Sequence, residues 1–352
     1  MAEKKKNIRE LSLEEMKSFF TEKGEKAFRA KQLYEWLWQK SARSFEEMTN
    51  LSKGLRSMLE ENFVLPAVQV AEEQISSDKT IKNAFKLADG KITEGVLIPT
   101  TKRMTACISS QVGCSLTCKF CATGKLKLMR NIQFDEIYDQ VAIIKEQAEK
   151  YYQRPLSNIV YMGMGEPLLN YSQMLKSIDR ITAEDGLGMS PKRITVSTAG
   201  IAKLIKRLGD DEVKFNLALS LHAANDEKRS KIMPINEQNN LEILAEALQY
   251  FYEKTGSRVT FEYIIFRDFN DELEDAAELA EFCKNVPCKI NIIEYNPIDD
   301  GEFQQADAQK VDAFAAFLER RNLVVNVRRS RGKDIDAACG QLANKNGAIT
   351  VD

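Results

Sequence analysis

Cys114-Ser115-Leu116-Thr117-Cys118-Lys119-Phe120-Cys121 is a C-x3-C-x2-C triplet, and its chemistry and position together decide how the chain must fold. Three thiolates this close can each hold one iron of a [4Fe–4S] cluster, whose usual ligand set is four. The fourth iron then stays open to a bidentate ligand. A zinc site completed by a distant fourth ligand is the alternative, but neither the spacing nor His222, the single histidine, suits common zinc patterns. The triplet follows a short run at 104–109 that reads as a strand, so it belongs on a loop at that strand's C-terminal end.

Downstream, short apolar runs at 159–162, 194–197, 215–221, 259–266, 289–295 and 323–327 alternate with amphipathic helical patterns such as Phe134, Ile137, Val141, Ile144 and Ala148. Such alternation implies a parallel sheet with right-handed crossovers. The strand count falls near seven, short of a closed eight-fold barrel. An open partial barrel or a doubly wound sheet remains, and in either the site lies at the C-terminal strand ends. Those ends carry candidate cofactor contacts. In Met162-Gly163-Met164-Gly165-Glu166-Pro167, glycine lets the backbone approach a ligand and Glu166 is placed to accept from an ammonium. Ser197 ends one strand, Ser220 and His222 alternate onto one face of another, and Asn296 ends a third. Each alone reads as a satisfied polar residue; together they map a ring.

Two more cysteines stand out. Cys107 lies seven residues before the triplet, near Lys102 and Arg103, which are expected to lower its pKa. Cys339 sits beyond the last strand, in Asp334-Ile335-Asp336-Ala337-Ala338-Cys339-Gly340-Gln341-Leu342. A buried inert thiol competes as a reading for both. Cys283 and Cys288, in ordinary surroundings, are read as inert.

Upstream, residues 1–65 read as a small helical module. Ser12-Leu13-Glu14-Glu15 and Ser44-Phe45-Glu46-Glu47 both fit capping boxes, Leu33, Trp36 and Leu37 mark a second helix, and Leu55, Met58 and Leu59 a further amphipathic turn. A hairpin follows, turning at Asp89-Gly90. Its return strand places Glu94 on a stripe otherwise made of Ile92, Val96 and Ile98. An edge or bulge position is one explanation of that carboxylate.

Of the 352 residues, 43% are hydrophobic and 29% charged, the balance of a globular protein. No apolar run approaches bilayer length, and Met1-Ala2-Glu3-Lys4-Lys5-Lys6 lacks a signal-peptide core, so a cytoplasmic protein with no membrane partner is expected. There, seven cysteines point to metal binding or catalysis rather than to a disulfide framework. A net charge of −2 does not advertise nucleic acid. Two local clusters do: Lys119, Lys125, Lys127 and Arg130 beside the triplet, and Arg328, Arg329, Arg331 and Lys333 before Cys339, which together read as a phosphate-binding rim.

Taken with Cys107-Ile108-Ser109-Ser110-Gln111-Val112-Gly113-Cys114, Phe120-Cys121-Ala122-Thr123-Gly124, and Gly163-Met164-Gly165-Glu166-Pro167-Leu168-Leu169-Asn170, the Cys339 segment resembles the RlmN/Cfr family of radical S-adenosylmethionine (SAM) adenosine methyltransferases. Val112 and Pro167-Leu168 resemble the RlmN branch. The resemblance implies an α/β fold: a partial (β/α)6-type radical SAM barrel over 101–352, an N-terminal helical accessory domain over 1–65 and a β-hairpin connector over 66–100. It implies that Cys114, Cys118 and Cys121 hold the cluster, and that Gly165, Glu166, Ser197, Ser220, Leu221, His222 and Asn296 contact SAM. It further implies 23S rRNA and tRNA substrates, methylation at adenine C2, two SAM per turnover, an electron donor such as a flavodoxin system, and a monomer. C8 methylation of the Cfr type is the alternative. Adenine C2 offers no lone pair to a polar methyl donor, whereas a carbon radical can add to it. In the implied mechanism Cys339 accepts a methyl group from one SAM. A radical made from a second SAM activates that methyl, which joins the RNA. Glu94 acts as proton acceptor, and Cys107 resolves the RNA–Cys339 adduct through a transient disulfide.

Overall fold

The computed structural model describes residues 5–344. The first four residues, read above for targeting, and 345–352, assigned above to the C-terminal domain, lie outside them. Seven parallel strands run in the order expected of a wound sheet: β6 (Met104–Cys107), β9 (Asn158–Tyr161), β10 (Ile194–Thr198), β11 (Asn216–Ser220), β12 (Val259–Ile265), β13 (Cys288–Glu294) and β14 (Val325–Arg328). Helices α4 (Phe134–Tyr152), α5 (Tyr171–Thr182), α6 (Ala202–Asp210), α7 (Asp226–Ile232), α8 (Leu241–Thr255), α9 (Leu273–Phe282) and α10 (Ala308–Glu319) form the crossovers. Every residue of β12 is buried, because helices cover one face and the barrel interior the other. Each strand pairs with the next in sequence, and among the described residues β14 has no pairing partner beyond β13, which leaves the barrel open there.

The hairpin is longer and less separate than the sequence suggests. Strands β3 (Gln69–Ile75), β4 (Ile81–Lys86) and β5 (Ile92–Pro99) extend the parallel sheet antiparallel through β5 and β6, making ten strands in one sheet among the described residues. Strand β3 is the outer edge, mostly solvent-facing and rich in Glu and Gln, and carries no apolar alternation to reveal it. A small ribbon of β7 (Gln111–Val112) and β8 (Arg130–Asn131) brackets the cysteine loop.

Helices α1 (Leu13–Glu22), α2 (Phe28–Trp38) and α3 (Lys53–Asn62) build the N-terminal module, closed by a parallel pair of β1 (Lys6–Asn7) and β2 (Phe63–Val64). The Ser12–Glu15 capping box forms in full. At Ser44 the box is incomplete: Glu47 N reaches the Ser44 hydroxyl at 3.4 Å, but the Glu47 carboxylate accepts from Arg43 N and the Ser44 hydroxyl, and no helix follows. The chain instead turns to bury Met48 and Leu51 before Ser52 caps α3. The module is anchored to α4: Arg9 pairs with Asp139 at 2.9 Å with both side chains buried, Asn7 Nδ2 donates to Asp135 at 2.7 Å, and the Tyr138 hydroxyl bonds the Trp38 carbonyl. Among the described residues no helix is long and apolar enough to cross a membrane.

Candidate active site

The loop after β6 carries the three cysteines over the C-terminal mouth of the barrel. It is held tightly: Cys121 N donates to the Cys118 carbonyl at 3.2 Å, and a Cβ on Gly124 would meet that carbonyl at 2.8 Å. Cys114, Cys118 and Cys121 line a cavity of about 150 Å³ together with Gly165, Glu166, Ser197, Ser220, His222 and Cys339. Residues from five separate stretches of sequence thus converge. Leu221 and Asn296 are absent from that wall. Leu221 points into the core, and its carbonyl accepts from Arg229 Nε at 3.1 Å. Asn296 Nδ2 donates to the Cys339 carbonyl at 3.2 Å, and its buried Oδ1 has no partner among the described residues.

Each wall residue has a structural cause. Gly165 adopts φ +95°, and a Cβ there would lie 2.4 Å from Gln111 Cβ; Gly163 is pressed in the same way against Ile108 and Ser109. The close approach these glycines permit is thus to the β6 side of the loop itself. Glu166 is buried, with one carboxylate oxygen accepting Ala199 N at 2.7 Å and the other Leu168 N at 3.0 Å. Burial holds its carboxyl above the usual range. His222 sits at φ +58°, a left-handed conformation that a histidine adopts at a cost. Its Nδ1 accepts Ile264 N at 3.1 Å, and burial pulls its pKa down to about 3, so the imidazole is neutral. Ser197 and Ser220 hydroxyls lie 3.3 Å apart.

A second cavity, about 280 Å³, lies behind the first and is lined by Cys107, Arg328, Arg329 and Arg331. Cys339 and Gly340 border both. The Cys339 segment is stitched into place: Gly340 O accepts Ala122 N at 2.7 Å, Thr123 Oγ1 donates to Leu342 O at 2.7 Å, and Gln341 Nε2 donates to Pro297 O at 3.0 Å. Surrounded by protein yet open to the two cavities, the Cys339 thiol is raised by desolvation, with Arg328 pulling the other way. Cys107 is also pushed up, to about 12, by burial and then by Cys339. Lys102 and Arg103 do not lower it, because both project into solvent; the cation that reaches it is Arg328.

Glu94 lies outside both cavities. Its carboxylate accepts Ala343 N at 2.8 Å and Asn344 N at 3.0 Å and faces Lys82 at 3.6 Å, with both side chains buried. It therefore holds the far end of the Cys339 segment. Arg130 does not join a basic rim: Asp89 and Glu136 take its guanidinium. Lys119, Lys125 and Lys127 remain exposed. Sequence reading missed Glu262, which is buried at the first cavity, accepts Asn291 Nδ2 at 2.8 Å and faces Arg328 at 3.3 Å. Its strand context, Val-Thr-Phe-Glu-Tyr-Ile-Ile, gave no signal.

The donor set fits a cluster. Three free thiols share one wall, and burial pushes all of them up, Cys114 to about 11. Such thiols become thiolates where bound cations compensate the desolvation. Among the described residues no three His, Cys, Asp or Glu side chains are arranged around a single metal ion.

An open parallel barrel with three cysteines on its first loop and a glycine–glutamate loop on its second strand defines the radical SAM class, and residues 108–280 match the radical SAM superfamily model. Residues 6–65 match the model of the ribosomal RNA large subunit methyltransferase N-terminal domain. A probable dual-specificity RNA methyltransferase RlmN from Cytophaga hutchinsonii is 63% identical over 97% of this chain and 94% of its own length. One from Salinibacter ruber is 43% identical over 98% and 95%. The crystal structure of a radical SAM methyltransferase from Sphaerobacter thermophilus superposes with a TM-score of 0.91 at 37% identity, covering 96% of this chain and 99% of that one. The chain belongs to the RlmN branch of the RlmN/Cfr family of radical SAM RNA methyltransferases.

Proposed function

We propose that this chain methylates C2 of an adenosine in 23S rRNA, and of the adenosine beside the anticodon in some tRNAs, through a methylated Cys339 and a covalent RNA–enzyme intermediate. The observation that carries the reading is the position of Cys339 on a wall shared by two cavities: Cys114, Cys118 and Cys121 line the first, and Cys107 and three arginines, with Cys121 again, line the second. A sulfur placed there can receive a methyl group from one side and present it to a nucleobase on the other.

In this reading Cys114, Cys118 and Cys121 hold the [4Fe–4S] cluster, and Gly165, Glu166, Ser197, Ser220, Leu221, His222 and Asn296 form the SAM site, the unpartnered Asn296 Oδ1 being ready for a hydroxyl or amino donor. When bound, cluster and SAM supply the carbon-radical chemistry that an adenine carbon without a lone pair requires. Cys339 carries the methyl group and then the RNA. Cys107, on the second cavity's wall, attacks the Cys339 sulfur and releases methylated RNA, leaving a disulfide that is reduced before the next turnover; both are free thiols in the structure. Glu94 serves as proton acceptor once its carboxylate is released from the Ala343 and Asn344 amides. The adenine must leave its stack to reach this depth, which suits locally opened RNA. Arg328, Arg329 and Arg331 line its entry. The reading entails two SAM per turnover, a flavodoxin-type electron donor, and a monomer working in the cytoplasm. Residues 1–65 act as an RNA-gripping accessory domain, 66–100 as connector and 101–352 as catalytic domain.

The test is a pair of variants assayed with RNA, SAM and reductant. Cys107→Ala accumulates protein cross-linked to RNA; Cys339→Ala yields neither cross-link nor product. Normal turnover by Cys107→Ala removes it from the mechanism, and mass spectrometry of the product separates 2-methyladenosine from 8-methyladenosine.

A further inference from the structure

Arg229 is an arginine buried without a direct carboxylate partner. It is 0% exposed, yet every acceptor it meets is a neutral oxygen: Ala199 O at 2.7 Å, Asn236 Oδ1 at 2.7 Å, Leu221 O at 3.1 Å and Ser220 O at 3.4 Å. A guanidinium taken out of water costs several kcal/mol unless an anion answers it. The exposed Asp226 carboxylate is linked to Arg229 through the Asn236 amide, whose Nδ2 donates to Asp226 Oδ1 at 2.8 Å.

The position of Arg229 indicates where the answering anion belongs. Helix α7, which carries it, packs under the cysteine loop: Lys119 N donates to Ile232 O at 3.0 Å, and Met233, whose amide bonds the Arg229 carbonyl at 2.8 Å, lines the first cavity. The carbonyls it grips end β10 and β11, beside Ser220 and beside the Ala199 amide that holds Glu166. Ala199 and Ser220, whose carbonyls it grips, both line that first cavity. Three thiolates outweigh the positive charge of a four-iron core, so the loaded site is anionic and becomes more so on gaining an electron.

We propose that Arg229 is a positioning residue whose charge, left unanswered by direct protein contacts, is the counter-charge of the loaded cluster site and makes that cluster easier to reduce. The proposal rests on the reading that Cys114, Cys118 and Cys121 hold the cluster. It concerns equilibrium with an external reductant and adds no chemical step. A unit charge acting through an interior of effective dielectric about 20 over roughly one Debye length shifts such an equilibrium about tenfold.

The experiment is an EPR-monitored redox titration of anaerobically reconstituted full-length protein. Arg229→Gln should lower the ratio of reduced to oxidised cluster at a fixed potential about tenfold, which is ~59 mV for one electron. Arg229→Lys should restore most of it. Asp226→Asn, an exposed change that removes the one carboxylate damping Arg229, should move the potential the opposite way. An Arg229→Gln cluster titrating with the parent protein overturns the proposal. If Arg229→Gln fails to load a cluster, Asp226→Asn decides: an upward shift supports the proposal, and an unchanged or lowered potential overturns it. Parent protein lacking four-iron absorbance defeats the cluster reading instead.

Discussion

Replacing Thr123 by Val tests whether the Cys339 segment is held in place by the loop that carries Cys114, Cys118 and Cys121. Thr123 is buried, and its hydroxyl donates to the Leu342 carbonyl at 2.7 Å, across 219 residues of sequence. Valine keeps the shape and removes the donor, leaving the carbonyl unsatisfied, at a cost of about 1–3 kcal/mol. The Ala122–Gly340 bond and the two amides on Glu94 remain, so the segment opens locally while the barrel stays folded. A loss of about 1.4 kcal/mol raises the open population about tenfold. Hydrogen exchange read by mass spectrometry should show the amides of 338–344 exchanging about tenfold faster, with strands β10 to β13 unchanged. Methylation of Cys339, followed by the added mass of its peptide, should slow by a similar factor because the sulfur leaves the shared wall for that fraction of time. Unchanged exchange in this peptide would refute the reasoning, since the bond would then hold nothing.

Gly165→Ala should destabilise by about 2 kcal/mol or more, because alanine must enter a left-handed conformation with its Cβ 2.4 Å from Gln111; calorimetry should show SAM affinity falling with it. Arg9→Met should cost about 3–5 kcal/mol by stranding Asp139, and adding Asp139→Leu should recover much of that, as measured by urea unfolding. Alkylation of Cys107 in cluster-free protein should be slow at pH 8 and rise about tenfold per pH unit, because its thiol titrates near 12 and the reactive thiolate grows until then. A plateau near pH 9 would show that burial does not govern this thiol.

Much of this architecture is visible in residue patterns because it depends on local periodicity. The parallel strands are apolar runs, and the cysteine triplet and the Gly163–Glu166 loop are contiguous. What sequence reading missed depends on distant contacts. Arg229 lies in Asp-Glu-Lys-Arg-Ser-Lys-Ile, a stretch that reads as a solvated helix face, and only packing against the carbonyls of Ala199 and Ser220 reveals it as buried. Arg130 looks like part of a basic rim until Asp89 and Glu136, 41 residues before and 6 after it, claim its guanidinium. Glu94 is odd in sequence, and its strangeness does signal a role. The pattern suggested an edge or bulge, whereas the carboxylate clamps two amides some 250 residues away.

These distant contacts make the two reactive loops one mechanical unit. Ala122 and Thr123 follow Cys121 directly and bond Gly340 and Leu342, on either side of Gln341 and next to Cys339. Whatever orders the cysteine loop therefore lowers the entropy cost of ordering the Cys339 segment, and the dependence is reciprocal in free energy. Glu94 then acts at the far end of the same segment, outside both cavities.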